Sequence, residues 1–245
     1  MQLIFDNLGF FLTGLGWTFG LAGATLLIAT VISAVVGTLS VTRSRIARLV
    51  ALCYVEFFRD IPLLVNVLFV YFGAPLIGIP LEPFSAAIVS FSLWGGANGA
   101  EIVRGGFNAV PRHQRISAAA LGLKRWEIYW YILAPQAILP MLPPFAGLFT
   151  LLVQATSLAS LVGVGEFFRV AQIVIERTTM TQGQSPAFLI YGGVLVSYYV
   201  ICSALTMGTH WLERRIADRT ARLPATGRQA ARAAATATGR PQESL

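Results

Sequence analysis

The sequence predicts an all-α integral membrane protein with five transmembrane helices, an N-terminus outside the cytoplasm and a cytoplasmic C-terminus. Only 12% of the 245 residues are charged and 56% are hydrophobic, whereas an ordinary soluble domain carries about 25% charged residues. The chain also holds apolar runs near the length of about 20 residues that a helix needs to cross a bilayer core of about 30 Å. Finally, 16 of the 18 lysines and arginines fall in alternate connecting segments and the tail.

Five apolar segments are predicted to form the spans. Their approximate bounds are 18–40, 61–79, 84–100, 138–153 and 188–207. The first contains no ionisable residue, and the second opens with Pro62, which is tolerated at a helix start. The third is shorter and more polar, and the fourth holds three prolines, which predict an irregular start. No lysine or arginine precedes the first run, which argues against a cleavable signal peptide.

The basic residues predict the orientation of these spans. They lie between spans one and two, between spans three and four, and after span five. The positive-inside rule therefore places those segments in the cytoplasm. An outer N-terminus and an inner C-terminus require an odd number of spans, which five satisfies. Because the arginines follow the loops, the formal charge of +7 indicates membrane orientation rather than nucleic-acid binding.

Composition divides the chain into three parts. Residues 1–17 are apolar and glycine-rich, and they are predicted to form an extracytoplasmic interfacial segment. Residues 18–216 form the predicted transmembrane domain. Residues 217–245 are rich in alanine, threonine and arginine, which predicts a disordered cytoplasmic tail.

The sequence lacks the motifs of common enzymes and metal sites. The only lysine, Lys124, does not lie in a phosphate-binding GxxxxGK[ST] loop, so the chain is not a P-loop ATPase. The two histidines form no HExxH pair, no GxSxG motif is present, and the two cysteines have no CxxC spacing. We therefore expect no metal, no bound cofactor and no catalysis, and a function in binding, moving or docking something.

The cytoplasmic loop 104–134 is long enough to hold structure of its own. A short helix is predicted from Ser117 to a stop near Gly122, followed by a second helical segment rich in aromatic residues. Two short helices at the inner membrane surface suit a docking platform for a partner. A passive loop lying on anionic lipid is the alternative.

Polar residues inside or beside the spans are candidates for a translocation path, because polar groups at bilayer depth are costly and often functional. The candidates are Asn66, Asn98, Glu101, Gln154, Thr156 and Ser157. Glu101 could instead pair with Arg104 at i+3, and the uncharged residues could instead form hydrogen bonds between helices.

Four ordered blocks resemble permease subunits of polar-amino-acid ABC importers, of the histidine, glutamine, arginine and glutamate type. Residues 56–66 resemble that family's ELFRGTPLLVQ, and residues 101–114 resemble EIFRGGIQSVPKGQ. Residues 118–136 are similar to the EAA loop of ABC importers, through AAALG and ILAPQ. Residues 156–166 resemble a TSLVSVIGVPEL segment, and the whole resemblance runs from about Trp17 to Arg215.

The resemblance implies an ABC type I importer permease fold in a bacterial cytoplasmic (inner) membrane. The chain would translocate a polar or charged amino acid delivered by an extracytoplasmic solute-binding protein. It would work with a second permease subunit, identical or sister, and with two ATPase subunits that bind ATP and Mg. A self-contained channel or secondary transporter for a small polar solute is the alternative, and a membrane anchor or scaffold is a third reading.

The resemblance also assigns an ATPase-docking surface to the cytoplasmic loop. Its residues are Arg112, Arg115, Ser117, Ala118, Gly122, Leu123, Lys124 and Arg125. Ile116 stands where the EAA loop has glutamate, and Asp60 and His113 each replace a glycine. Gln154 and Ala155 stand where the family often has Lys-Asp. Docking is therefore expected to depend on shape and on the basic side chains.

Overall fold

The computed structural model describes residues 2–221, and its regular structure over that range is entirely helical. The helices are α1 (Gln2–Asp6), α2 (Leu8–Ser40), α3 (Arg45–Asp60), α4 (Leu63–Gly73), α5 (Pro83–Ala109), α6 (Arg112–Ala120), α7 (Arg125–Glu127), α8 (Ala134–Ala155), α9 (Phe167–Gln182) and α10 (Ala187–Ala221). A 3₁₀ turn, Ala74–Ile77, follows α4, and another, Thr156–Val162, follows α8. Most of the predicted tail 217–245 lies outside the described residues, but its beginning continues α10.

Three predicted spans correspond to helices that are longer than expected. The helix of span 18–40 already begins at Leu8, so much of the predicted segment 1–17 belongs to α2. The helices of spans 84–100 and 188–207 run on to Ala109 and Ala221. Helices α5 and α10 continue through charged turns beyond the apolar runs, because their backbones remain hydrogen-bonded. The extension of α2 is uncharged and glycine-rich.

The second predicted span, 61–79, is a short helix joined to a sharp bend. The helical stretch Leu63–Ile77 meets α3 at 99°. Ile61 is extended, with φ −76° and ψ 127°, because the ring of the following Pro62 disfavours helical geometry at the residue before it. Pro62 then precedes α4, where a missing N–H costs nothing.

The fourth predicted span, 138–153, lies inside a longer helical stretch, Arg125–Val162. Its irregular part is a π-helical turn, Ile128–Leu133, which joins α7 to α8. Pro140, Pro143 and Pro144 instead lie within α8. The prolines therefore did not mark the start of the span, and the irregularity lies on their N-terminal side.

The predicted number of five spans is not confirmed by length and hydropathy. Among the described residues, three helical stretches are long and apolar enough to cross a membrane, Leu8–Ser40, Arg125–Val162 and Ala187–Ile216. The bent pair α3–α4 makes a fourth if it is counted as one span. Helix α5 is not among them, because serines, glycines and a charged pair lower its mean hydropathy.

Helix α5 lies at the centre of the bundle, and small residues allow the close approach of its neighbours. Its buried side includes Ser90, Gly95 and Gly99. A Cβ added at Gly99 would lie 2.9 Å from the Cβ of Ser33 on α2, and one at Gly95 would lie 3.1 Å from that of Ala29. The small residues of α5 therefore serve close helix packing.

The same close contact makes Gly37 of α2 sensitive to substitution. A Cβ at Gly37 would lie 2.5 Å from the Cβ of Val103 and 2.8 Å from the carbonyl oxygen of Ala100. We expect Gly37→Ala to lower the stability of the folded protein by about 1–3 kcal/mol, because this contact cannot relax without moving α5. Thermal unfolding in detergent measures this effect.

Gly23 on the same helix provides the matched control. A Cβ at Gly23 meets no atom within 4 Å, so Gly23→Ala should be neutral or slightly stabilising through helix propensity. Equal melting temperatures for the two variants would contradict the close α2–α5 packing.

Candidate docking surface and translocation path

A tight glycine turn joins α6 to α7. Gly122 has φ +84°, its N–H donates to the carbonyl of Ala119 (3.0 Å), and the N–H of Leu123 donates to that of Ala118 (3.2 Å). These two bonds form a Schellman motif, which requires a left-handed residue after the helix. The structure therefore confirms the predicted helix stop near Gly122.

Helix α6 is held to the bundle by a narrow apolar contact. Ala118 is its buried residue, and it packs in a cluster with Val103 and Phe107 of α5 and with Ala137 and Met141 of α8. Leu123 packs against the same cluster from the turn. Helix α6 also contacts the π-helical turn Ile128–Leu133, which leads directly into α8, so a displacement of α6 would be transmitted through that turn to α8.

The outer side of this segment is exposed, basic and apolar. Arg112, Arg115, Lys124 and Arg125 are all exposed and form no ion pair among the described residues. Three apolar residues of the same segment are also exposed. Ile116, Leu121 and Trp126 expose 60%, 80% and 55% of their surface, respectively. An apolar surface rimmed by unpaired charges is typical of a protein interaction site. We call the surface formed by residues 112–126 the α6 surface.

Two grooves bring together part of the predicted path. A groove of about 1030 Å³ is lined by Gln154 and Ser157 together with α10 side chains such as Tyr198 and Ser203. A groove of about 500 Å³ between α5, α8 and α10 is lined by Asn98 and, again, Gln154. Gln154 is exposed and contributes to both grooves.

The other predicted path residues lie elsewhere. Asn66 is buried, and its Nδ2 donates to the carbonyl of Ser90 (3.1 Å), which ties α4 to α5. Thr156 is also buried, and its hydroxyl donates to the carbonyl of Val153 (2.8 Å). Asn66 thus forms the bond between helices that was the alternative for it, whereas the Thr156 bond stays within its own helical turn.

Glu101 forms an ion pair with Arg104, as its i+3 spacing predicted. The Nε of Arg104 donates to Oε1 of Glu101 (2.9 Å), and a second bond joins the same two side chains. Both residues line a separate groove of about 700 Å³ that also holds Arg45, Arg48 and Arg59. Glu101 therefore does not reach either of the grooves that contain Gln154.

Sequence reasoning missed the importance of Glu166 and of the helix that it begins. Glu166 is fully buried and is the N-cap of α9, where it accepts hydrogen bonds from the N–H groups of Phe168 (3.0 Å) and Arg169 (2.8 Å). The hydroxyl of Tyr198 on α10 donates to the same carboxylate (3.1 Å), and Thr18 of α2 donates at 3.5 Å. One carboxylate thus links three helices. An acidic residue directly before an amphipathic stretch was the available signal.

Removing the Glu166 carboxylate is expected to destabilise the protein strongly. Glu166→Ala leaves the donors of α9 and Tyr198 without their buried acceptor, at a cost of roughly 2–4 kcal/mol. Thermal unfolding in detergent measures the loss. Glu176→Ala, on the exposed side of the same helix, should change stability little, and an equal effect of both variants would contradict this role.

Glu166 should also make stability depend on pH. Burial raises the pKa of its carboxyl above the ordinary 4.5, although hydrogen bonds from Phe168 and Arg169 lower it. The folded state therefore binds the proton more tightly, and stability should decline as pH rises from 4.5 to the raised pKa. Glu166→Gln should remove this decline in pH-dependent melting curves, whereas Glu176→Gln should retain it. An identical decline in all three proteins would exclude Glu166 as its source.

Comparison with known proteins identifies the family. Residues 27–219 match the family described as the binding-protein-dependent transport system inner membrane component. The chain belongs to this permease family. The permease is therefore an integral membrane component of a transport system and is not itself an enzyme.

Relatives of the permease cover most of its length. The glutamine transport system permease protein GlnP of Escherichia coli K12 is 36% identical over 173 residues, which are 70% of this chain and 76% of that protein. The probable amino-acid ABC transporter permease protein YckA of Bacillus subtilis 168 is 30% identical over 216 residues, which are 88% and 93% of the two chains. These relatives confirm the resemblance inferred from the four sequence blocks.

Solved structures share the fold of the permease. An amino acid ABC transporter crystallised with histidines superimposes with a TM-score of 0.78 at 25% identity, over 86% of this chain and 96% of that chain. The inward-facing MetNI methionine ABC transporter superimposes with a TM-score of 0.70 at 19% identity, over 86% and 98% of the two chains. Together with the relatives, the first match favours an importer permease over a self-contained channel or secondary transporter.

Proposed function

We propose that this permease is the transmembrane subunit of an ATP-driven importer for a polar or charged amino acid. The substrate class is supported by relatives whose names specify glutamine, amino-acid and L-cystine transport. An extracytoplasmic solute-binding protein delivers the amino acid, and the permease releases it in the cytoplasm. The protein acts in a bacterial inner membrane.

The observation that carries this function is the mechanical link between the α6 surface and the polar grooves. Ala118 and Leu123 belong to the apolar cluster that also contains residues of α5 and α8, and those two helices contribute Asn98 and Gln154 to the grooves. A partner that moves α6 would therefore shift the walls of the path. Two packed arrangements of these helices are what alternating access requires.

The proposed partners are those that membership of the permease family implies. Two ATPase subunits bind ATP and Mg and dock on the α6 surface of two permeases, which are identical or sister chains. The docking residues are Arg112, Arg115, Ser117, Ala118, Gly122, Leu123, Lys124 and Arg125. Asn98, Gln154 and Ser157 face the substrate, and this chain binds no cofactor.

The membrane arrangement consists of five spans with the N-terminus outside. Among the described residues, three stretches are apolar enough to cross alone, and the stretch Leu63–Ile77, which follows α3 after the 99° bend, supplies a fourth crossing. Helix α5 is the fifth, because its 27 residues reach about 40 Å and other helices cover its polar side. An odd count agrees with the cytoplasmic positions expected for the arginine-rich segments.

Uptake by the assembled importer tests the proposed substrate class. The permease, its ATPase and its binding protein are reconstituted in liposomes loaded with ATP, and uptake of radiolabelled glutamine, arginine, histidine, glutamate and cystine is compared with that of leucine. At least one of the polar amino acids should accumulate in the liposomes to a level well above that of leucine. Accumulation of leucine alone, or of none of these compounds by an assembly that hydrolyses ATP, would contradict the proposal.

A further inference from the structure

We propose that the groove between α3 and the adjoining ends of α2 and α5 binds the phosphate headgroup of an anionic phospholipid, with Arg45 and Arg48 as its ligands. This site lies apart from the α6 surface and from the grooves that contain Gln154. The inference depends on the membrane arrangement of the chain and not on what it transports.

One face of α3 forms a wall of this groove. The cavity measures about 700 Å³. Its α3 lining residues recur at helical spacing and are Arg45, Arg48, Leu49, Ala51, Leu52, Val55, Glu56 and Arg59. Ser40 of α2 and the pair Glu101–Arg104 of α5 complete the lining. The groove therefore combines guanidinium groups with an apolar wall.

The positive charge is unbalanced at one end of the groove. Arg104 is paired with Glu101, whereas Arg45 and Arg48 form no ion pair among the described residues. Glu56, the other acidic residue of the lining, lies eight positions beyond Arg48, a distance of about 12 Å along the helix. The first turn of α3 also contains no acidic residue. An anion at this end is the missing charge partner.

The angle of α3 places this end at the membrane surface. Because α3 meets the helical stretch 63–77 at 99°, it lies close to the membrane plane when that stretch crosses the bilayer. Ile46, Val50 and Phe57 form an apolar stripe along α3 and are 77%, 60% and 59% exposed. A helix with an exposed apolar stripe beside arginines is typical of the membrane interface.

The groove wall favours a lipid over a soluble phosphate. Leu49 and Leu52, next to the arginines, are 60% and 48% exposed, and a lipid acyl chain would cover them. Two guanidinium groups at i and i+3 suit a phosphodiester, because each can donate two parallel hydrogen bonds to phosphate oxygens. Basic pockets between helices on the cytoplasmic side are known to bind anionic headgroups.

Native mass spectrometry of the full chain tests this site. The protein is released from phosphatidylcholine nanodiscs that contain a minor fraction of phosphatidylglycerol, and the ratio of retained phosphatidylglycerol to retained phosphatidylcholine is measured. We expect the wild type to be enriched in phosphatidylglycerol. Arg45→Gln/Arg48→Gln should lower that enrichment about tenfold or more, since one arginine near an anionic headgroup contributes roughly fivefold.

The control is a second pair of exposed arginines at the start of a helix. Arg112→Gln/Arg115→Gln removes an equal charge from α6, outside this groove, and should keep the enrichment. An equal loss in both double variants, or no enrichment in the wild type, would overturn the proposal. Retained enrichment in Arg45→Gln/Arg48→Gln would do the same.

Measurements on the wild type keep the test valid if the double variant fails to fold. Raising the salt concentration should weaken the enrichment, because salt screens the attraction of exposed charges. Inorganic phosphate at matched ionic strength should not displace phosphatidylglycerol, since it lacks the acyl chains. An enrichment that is independent of salt, or that inorganic phosphate abolishes, would overturn the lipid site.

Discussion

Gly122→Val is expected to reduce ATP-driven uptake by tenfold or more while the chain still inserts into the membrane. Gly122 has φ +84°, and a β-branched residue in that conformation costs about 1–2 kcal/mol or more. To relieve this strain, the turn would break the backbone hydrogen bonds to the carbonyls of Ala118 and Ala119. Leu123 would then leave its apolar cluster. Uptake and ATP hydrolysis, measured together in proteoliposomes, should show that hydrolysis no longer drives transport.

The control for this variant is another glycine near the same end of the bundle. Gly105 of α5 has no positive φ, and a Cβ there meets no atom within 4 Å. Gly105→Val should therefore retain most of the coupling. If Gly122→Val transports as well as the wild type for each ATP hydrolysed, the α6 surface is not where the ATPase acts.

Neutralising basic side chains of the α6 surface is expected to weaken ATPase binding about tenfold. Ile116 stands where the similar EAA loop has glutamate, so in the proposed assembly the electrostatic part of ATPase docking would come from arginine and lysine. Arg115→Gln/Lys124→Gln removes two exposed charges that form no ion pair within the described part of the chain, which lowers both the association rate and the affinity. The dissociation constant of the purified permease and ATPase, measured at low and high salt, reports the change.

Two arginines outside the α6 surface provide a charge-matched control. Arg43 and Arg214 are exposed and lie in other segments predicted to be cytoplasmic. Arg43→Gln/Arg214→Gln should leave the affinity almost unchanged. At high salt, the dissociation constants of the wild type and of Arg115→Gln/Lys124→Gln should become similar, because screening removes the electrostatic part of binding. A similar loss of ATPase affinity in both double variants would show that affinity depends on the net charge of the permease and not on the α6 surface.

Apolar run length predicted the helices of the fold better than it predicted their ends. The charge-free runs in α2 and α10 identified two spans, but α2 begins earlier in an uncharged glycine-rich segment and α10 continues past charged residues. Helix α9 was missed because it is amphipathic and only 16 residues long, so it gives no span signal. The 99° bend after α3 depends on tertiary packing, although Pro62 marks its place.

The candidate site was predictable where a residue type serves one backbone geometry. Gly122 was identified as a helix stop because few residues other than glycine adopt a positive φ. Asn66 and Gln154 could not be separated by sequence, since both are amides in apolar runs, yet one is buried in a hydrogen bond and the other lines two grooves. Glu166 was missed because its partners Thr18 and Tyr198 are distant in sequence.

Whether uptake depends on the ATPase decides whether ATP hydrolysis drives this permease. The permease is reconstituted in ATP-loaded liposomes with its binding protein and amino acid, in the presence and in the absence of the ATPase subunits. Accumulation against a gradient is expected only when the ATPase and hydrolysable ATP are both present. Accumulation at the same rate without the ATPase would contradict this expectation, because the permease would then transport on its own.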